Sequence, residues 1–249
     1  MENLSPRLRQ VETLRSTSLV EQIADQLVLG IASGRIPRGE RVIESELAGD
    51  FGISRIPLRE AMSMLESQGV LVAEPRRGRR VANFDSAQVR EICEARLALE
   101  KIAVQQARLA LLENPEKIEA LDACLLRLER AALEPLDASA TNQCDIDFHT
   151  EIYNISGNHF LQMIWIAIAK HVMIAFAVDQ IFARLSPMEN LKQHQHLRDL
   201  MMHGSVEDLN VEIEAHIMSY GKGITELATK IPALVPIKQA SANLGKVKK

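Results

Sequence analysis

Apolar residues recur at helical spacing in "SLVEQIADQLVLGIASG", where Leu19, Ile23, Leu27 and Ile31 follow one another turn by turn and Gly34 supplies a stop. "RIPRGERV" then reads as a turn with a short extended exit, and "IESELAGDFG" as a second, shorter helix ended by Gly52. "ISRIPLREAMSMLESQG" predicts a third helix. Ser54 is its expected cap, Pro57 is tolerated in the first turn, and Gly69 stops it. The periodicity then shortens. "VLVAEPRRGRRVANF" places two β-prone runs around a basic turn containing glycine, the pattern of a β-hairpin. Three helices followed by a basic hairpin make a winged helix-turn-helix over residues 18–83.

From Asp85 onward the pattern is helical throughout. Breaks fall at "ENPEK" (113–117), "LEPLDAS" (133–139), "SGNHF" (156–160), "RLSPMEN" (184–190) and "HGSVED" (203–208). They predict roughly six helices with short loops, an antiparallel all-α bundle over residues 86–228. The stretch "FLQMIWIAIAKHVMIAFAV" is apolar nearly all round and belongs in the bundle centre or at a subunit interface. Residues 1–17 read as a flexible tail, and 229–249, with Pro232, Pro236 and "GKVKK", as a disordered one. The expected fold class is therefore mainly α, a winged helix joined to a helical bundle.

Composition changes this picture little. The 249 residues suffice for two modest cores, and the net charge of −4 gives no hint of a nucleic-acid partner. The charge is uneven: residues 1–83 hold 12 Arg and no Lys against 11 acids, and the run "RRGRR" at 76–80 concentrates the positive charge. No continuous apolar run or signal-like start stands out, so a cytoplasmic protein without a membrane span is expected. Cys93, Cys124 and Cys144 lack paired spacing and read as thiols rather than a disulfide framework.

The chemistry concentrates in "DIDFHTEIYN". At about 100° per residue, Asp145, Phe148, His149, Ile152 and Ile155 share one side of a helix, and Asp147, Thr150, Glu151 and Asn154 take the other. A carboxylate and an imidazole one turn apart on an apolar face can chelate an ion but leave it undercoordinated. Phase selects further ligands. His194 shares a face with Leu191, Leu197 and Met201, and His216 with Leu209, Ile213, Tyr220 and Leu227, while His196 and His203 point to solvent. One carboxylate and three imidazoles suit a divalent transition ion such as Zn, Ni or Mn. The competing readings are satisfied core histidines or a purely structural ion. A second anomaly is "EICEARLALEKIAV": Arg96 and Glu100 sit amid an apolar stripe of Val89, Ile92, Cys93, Ala103, Val104 and Ala107. An inward Arg needs partners. It either pairs internally with Glu100 or, beside an ion with open positions, receives a carboxylate ligand.

Both halves carry family motifs. "ELAGDFGISRIPLREAMSMLESQGVL" resembles the DNA-binding domain of GntR-type bacterial transcription regulators, and "GRIPRGERV" and "RRGRRV" extend the likeness over about 65 residues. Pro37 stands two residues before Gly39, where the family places Pro directly before Gly. The resemblance implies a recognition helix entering the major groove. Arg55 would fork to a guanine, with Arg59 one turn on. Ile56 replaces the common Thr and suits a thymine methyl. Arg77, Gly78 and Arg79 would form the wing contact. Arg35, Ser54 and Pro57 complete the expected DNA-binding set. "DIDFHTEIYNISGN" in turn resembles the signature of the FCD ligand-binding domain of the FadR branch. That family pairs an early His with one 22 positions later, as His194 and His216 are. It implies Asp145, His149, His194 and His216 as metal ligands and Arg96, Glu100 and Asn158 as effector residues, although Asn158 serves equally as a helix cap. The expectation is a homodimeric regulator, more a repressor than an activator, on an imperfectly palindromic operator, answering a small organic acid. A metal sensor with the ion as effector is the alternative. A metal-dependent enzyme is disfavoured because no general base sits in register beside the cluster.

Overall fold

In the computed structural model, which describes residues 18–133, 138–180 and 186–228, the chain divides into two compact units, one ending at Asn83 and the other beginning at Phe84. The tails expected at 1–17 and 229–249 lie outside the described residues.

The first unit opens with α1 (Leu19–Ala32). Ser18 and Glu21 form a reciprocal capping box, Glu21 N donating to Ser18 Oγ at 3.2 Å and Ser18 N to Glu21 Oε2 at 2.7 Å. Ile23, Leu27, Val28 and Ile31 bury its inner face against α3. A two-residue strand β1 (Arg41–Val42) leads into α2 (Glu44–Phe51), which Gly52 ends in the left-handed conformation (φ 63°) that an L side chain resists. α3 (Arg55–Ser67) follows, burying Leu58, Ala61, Met62 and Leu65. Ser54 occupies its cap position, but the hydroxyl makes no capping bond, contrary to expectation.

β2 (Leu71–Glu74) and β3 (Gly78–Val81) form the predicted hairpin. Its turn places Pro75 before Arg76 at φ 63°, closed by Arg77 N donating to Glu74 O at 3.0 Å. The "extended exit" proves to be a third strand: β1 pairs antiparallel with β3 (Arg41 opposite Arg80), giving the order β1-β3-β2.

The second unit is a helical bundle: α4 (Ser86–Glu113), a 3-10 turn at Pro115–Lys117, α5 (Ile118–Leu133), α6 (Ala138–Ser156), α7 (His159–Gln180), α8 (Pro187–His203) and α9 (Val206–Ala228). The six helices among the described residues match the sequence expectation, and α4, α6 and α8 end at the breaks expected at 113–117, 156–160 and 203–208. Asp85 with Gln88, and Ser186 with Glu189, form capping boxes that start α4 and α8. α4 is the central element, touching α6, α7, α8 and α9. Lys101 reaches Glu214 (2.6 Å) and Gln105 reaches Asn210 (2.8 Å); the residue numbers rise on α4 as they fall on α9, so the two run antiparallel.

The apolar stretch on α7 divides its faces. Leu161, Trp165, Val172, Met173 and Phe176 are buried, whereas Phe160 (74 % exposed), Met163, Ile164 and Ile166 face outward. By length and composition alone, His159–Phe176 could cross a membrane, which the sequence reading did not anticipate. Its inner side chains instead belong to the bundle core.

Candidate functional site

On the first unit, the N-terminus of α3 presents Arg55 and Ile56 to solvent, Ile56 at 73 % exposure, with Pro57 half-buried behind them. Arg59 is also exposed, yet its Nη2 donates to Glu44 Oε2 at 2.9 Å. That hydrogen bond holds the Glu44 carboxyl below its usual range. Arg35 is exposed, and its Nε donates to Ser33 Oγ at 3.0 Å. On the wing, Arg77 and Gly78 are exposed at the hairpin tip.

Arg79 departs from expectation. Its side chain is only 18 % exposed and its guanidinium is spent internally: Nε on Glu66, Nη1 on Glu44 at 3.4 Å and Nη2 on Ser63 Oγ at 2.9 Å. Strand alternation explains this, because Arg79 points back toward α3. Arg79 therefore ties the wing to α2 and α3. The sequence reading passed over Arg76, exposed beside Arg77, and Arg41, whose guanidinium lies along Gly78 once β1 pairs with β3. The run "RRGRR" signalled the first; only the third strand reveals the second.

In the second unit, Asp145 and His149 from α6, His194 from α8 and His216 from α9 come together, all buried, with one donor atom from each lying within 4.8 Å of every other. His149 Nε2 is 3.1 Å from His216 Nε2 and 3.7 Å from Asp145 Oδ1; His194 Nε2 is 3.3 Å from Asp145 Oδ2. Donors around one ion at about 2.0–2.2 Å must lie within about 4.4 Å of each other, so the set needs only slight contraction. His196 and His203 face solvent, as their phase predicts. The side chains of Tyr220 and Leu227 lie outside the described residues.

Outer partners fix which nitrogens face the centre. His194 Nδ1 is 2.8 Å from the carbonyl of Asn190, which only accepts, so Nδ1 carries a proton and Nε2 is the nitrogen turned to the centre. His149 Nδ1 lies 2.6 Å from Glu100 Oε2, with the same consequence. Asn190 Nδ2 donates to Asp145 Oδ2 at 3.1 Å. Burial pushes the Asp145 carboxyl up, but His194, His149 and Arg96 outweigh it and hold it well below the usual range. Burial also lowers His149, and lowers His216 further with His194 and His149 beside it, so these imidazoles are neutral. Neutral His149 and His216 beside an anionic Asp145 suit a divalent ion. Without an ion, His216 Nε2–H can donate to His149 Nε2 across the same 3.1 Å. Asn190 was missed, although it lies one turn before His194 on the same stripe.

Arg96 is 2 % exposed and meets Glu100 at 2.6 Å, as the internal-pair reading expects. It also lies 3.7 Å from Asp145 and over the rings of Trp165 (5.8 Å) and Phe176 (5.6 Å). Burial raises the Glu100 carboxyl, and Arg96 and His149 together bring it below the usual range. Arg96 also lines a cleft between α4 and α7 whose other walls are Val89, Ile92, Cys93, Val172, Ala175 and Phe176. Of the two readings of Asn158, the structure shows the cap: Oδ1 accepts from Leu161 N at 3.1 Å at the start of α7, and Nδ2 donates to Gln106 at 3.1 Å. Tyr153, unremarked in the sequence, stacks on Trp165 at 4.8 Å.

The family model for bacterial regulatory proteins of the gntR family matches residues 19–81, and that for the FCD domain matches 91–219, which spans every residue of the buried cluster. The chain belongs to the GntR family, with an FCD domain. It is 28 % identical over 209 residues to a gluconate operon transcriptional repressor of Bacillus licheniformis, covering 78 % of this chain and 84 % of that one. It is 27 % identical over 189 residues to the Nta operon transcriptional regulator of Aminobacter aminovorans, covering 76 % and 86 %. The solved structure of E. coli McbR/YncC shares the fold, with a TM-score of 0.70 at 24 % identity over 86 % of this chain and 99 % of that one. Regulators of this family bind operator DNA and are not enzymes.

Proposed function

We propose that this regulator is a repressor which binds an imperfectly palindromic operator as a homodimer, and releases it when a small carboxylic acid occupies a metal-containing site in the bundle. The observation that carries the reading is the buried quartet Asp145, His149, His194 and His216, its ring nitrogens oriented by Glu100 and Asn190, with Arg96 alongside. These four would hold a divalent ion of the Zn, Ni or Mn type, which would supply a point of positive charge for a carboxylate oxygen. Asp145 offsets part of that charge. Arg96 offers a planar fork to the same carboxylate, and Glu100 sets the plane of the fork. On DNA, Arg55 and Ile56 read the major groove, and Arg77 and Gly78 approach the backbone. The outward apolar face of α7 supports a homodimer, since isolated monomers rarely leave such a patch in water. As a regulator of operator DNA it would act in the cytoplasm.

A ligand shifts operator binding only by binding the two states differently, so release requires tighter acid binding to the DNA-free form. Operator affinity of zinc-loaded protein, titrated with small mono- and dicarboxylates, tests this. Release that needs both ion and acid supports it; release by neutral or cationic compounds alone overturns it. One observation favours a second reading. Arg96 is already engaged by Glu100 at 2.6 Å. In that reading the ion alone is the effector, and zinc without acid changes operator affinity.

A further inference from the structure

The exposed side of α3 carries a second arginine that the reading above leaves without a task. Arg59 follows Arg55 by one turn, and both lie outside the buried stripe of Leu58, Ala61, Met62 and Leu65. The Arg59 side chain is 64 % exposed, yet its guanidinium is held in one orientation. Nε donates to Glu44 Oε2 at 3.2 Å, and Nη2 donates to the same oxygen at 2.9 Å. Glu44, the first residue of α2, is itself fixed from behind. Its other oxygen accepts from Arg79 Nη1 at 3.4 Å, and Arg79 is anchored on Glu66 and Ser63.

Which edge of the guanidinium is occupied decides what Arg59 can still do. Its five N–H groups lie in one plane. Glu44 takes the side edge, formed by Nε and Nη2. The end of the fork remains, with one N–H on each Nη, parallel and spaced for two acceptors. Guanine presents such a pair, O6 and N7, in the major groove. A phosphate accepts a fork as well, but there the Glu44 charge only subtracts from the attraction. Nor does stability account for the acid, because an exposed ion pair contributes little. A carboxylate set among the arginines of a DNA-facing surface therefore acts through orientation. Resting on the reading of α3 as the major-groove helix, we infer that Glu44 is a positioning residue for operator specificity. It holds Arg59 side-on so that the free end of the fork reads a second guanine in each half-site, and it withholds Arg59 from sequence-independent phosphate binding.

The test is selection of preferred duplexes from a randomised pool by the full-length protein. Anisotropy then follows on the selected operator, on its single-base substitutions, and on a scrambled duplex across salt concentrations. Arg59→Ala removes a guanine preference of about 5- to 150-fold at one position per half-site and leaves the Arg55 position intact. Glu44→Ala lowers the preference at that same position about fivefold or more, although Arg59 is still present. It also frees a cation, so the scrambled duplex binds more tightly and its salt slope rises by about one. In the double variant the slope returns to the wild-type value, and the preference falls no further than in Arg59→Ala alone. Preference is a ratio of affinities of one protein, so any loss of stability cancels from it. Glu44→Gln, which keeps an acceptor within reach of Arg59, preserves more of the preference than Glu44→Ala. A Glu44→Ala variant that weakens all sequences alike, or leaves the Arg59 position untouched, overturns the inference and leaves the major-groove reading standing. Should neither Arg55→Ala nor Arg59→Ala alter any base preference, the major-groove reading itself fails.

Discussion

Replacing Arg96 with Met removes the guanidinium while keeping most of the stem's volume, and it leaves Glu100 buried without its main counter-charge. Arg96 is 2 % exposed and Glu100 fully buried, so water cannot replace the lost 2.6 Å contact. Removing one partner of such a pair costs about 3–5 kcal/mol, more than the pair's net worth, because the remaining charge is stranded. The loss of the guanidinium over Trp165 and Phe176 adds about 0.5–2 kcal/mol. Glu100→Gln costs less, because Arg96 keeps Asp145 at 3.7 Å. The double variant Arg96→Met/Glu100→Gln buries neither charge. It should lose less than the sum of the two single losses by about 2–3 kcal/mol. Trp165 is the chain's only tryptophan and lies beside Arg96, so its fluorescence during urea unfolding of metal-stripped protein reports on the bundle. This avoids assuming that both units unfold together. Single-variant losses below about 1 kcal/mol, or strict additivity in the double variant, would refute the reasoning.

Chelation of purified protein should lower the bundle's melting temperature and added zinc should restore it; zinc at a hundred times its Kd adds about 2.7 kcal/mol. Alanine at Asp145, His149, His194 or His216 should remove that response in differential scanning calorimetry, and His196→Ala, on the exposed face, should keep it. Arg55→Ala should cost about 1–3 kcal/mol of discrimination at one base pair per half-site, measured by anisotropy on substituted operators. Arg77→Ala should weaken all sequences alike and lower the salt slope by about one. Arg79→Ala should behave differently: with three partners in α2 and α3, its loss should lower the winged helix's melting temperature, and an unchanged melt would show that the internal network carries no stability.

Helix boundaries were legible in the sequence because their signals are local: a capping serine or aspartate, a glycine stop, an apolar residue every turn. The inward pointing of Asp145, His149, His194 and His216 was legible for the same reason, since helical phase depends on neighbours along the chain alone. The partners were not. The β1–β3 pairing rests on two residues, Arg41 and Val42, too few for any alternation to register. Arg79 read as a free wing cation because the acids that hold it, Glu44 and Glu66, lie 35 and 13 positions away in sequence. Glu100 looked like a partner for Arg96 at one-turn spacing, which it is. Its second oxygen, on His149 across 49 positions, could come only from the packing of α4 against α6.

That second oxygen has a thermodynamic consequence for the proposed reading. Glu100 divides its carboxylate between Arg96 and His149, at 2.6 Å to each, so a group that draws on Arg96 also changes what Glu100 offers His149. The acidity of Nδ1–H sets the basicity of Nε2, the nitrogen directed at the cluster. An acid that engages Arg96 and leaves Glu100 more fully with His149 makes Nε2 a better donor and tightens metal binding. Linkage then requires the ion to tighten acid binding by the same factor. Glu100→Gln would keep an acceptor near His149 while removing the charge that couples the two sites. Its signature is therefore loss of that reciprocal enhancement, with each ligand still binding alone.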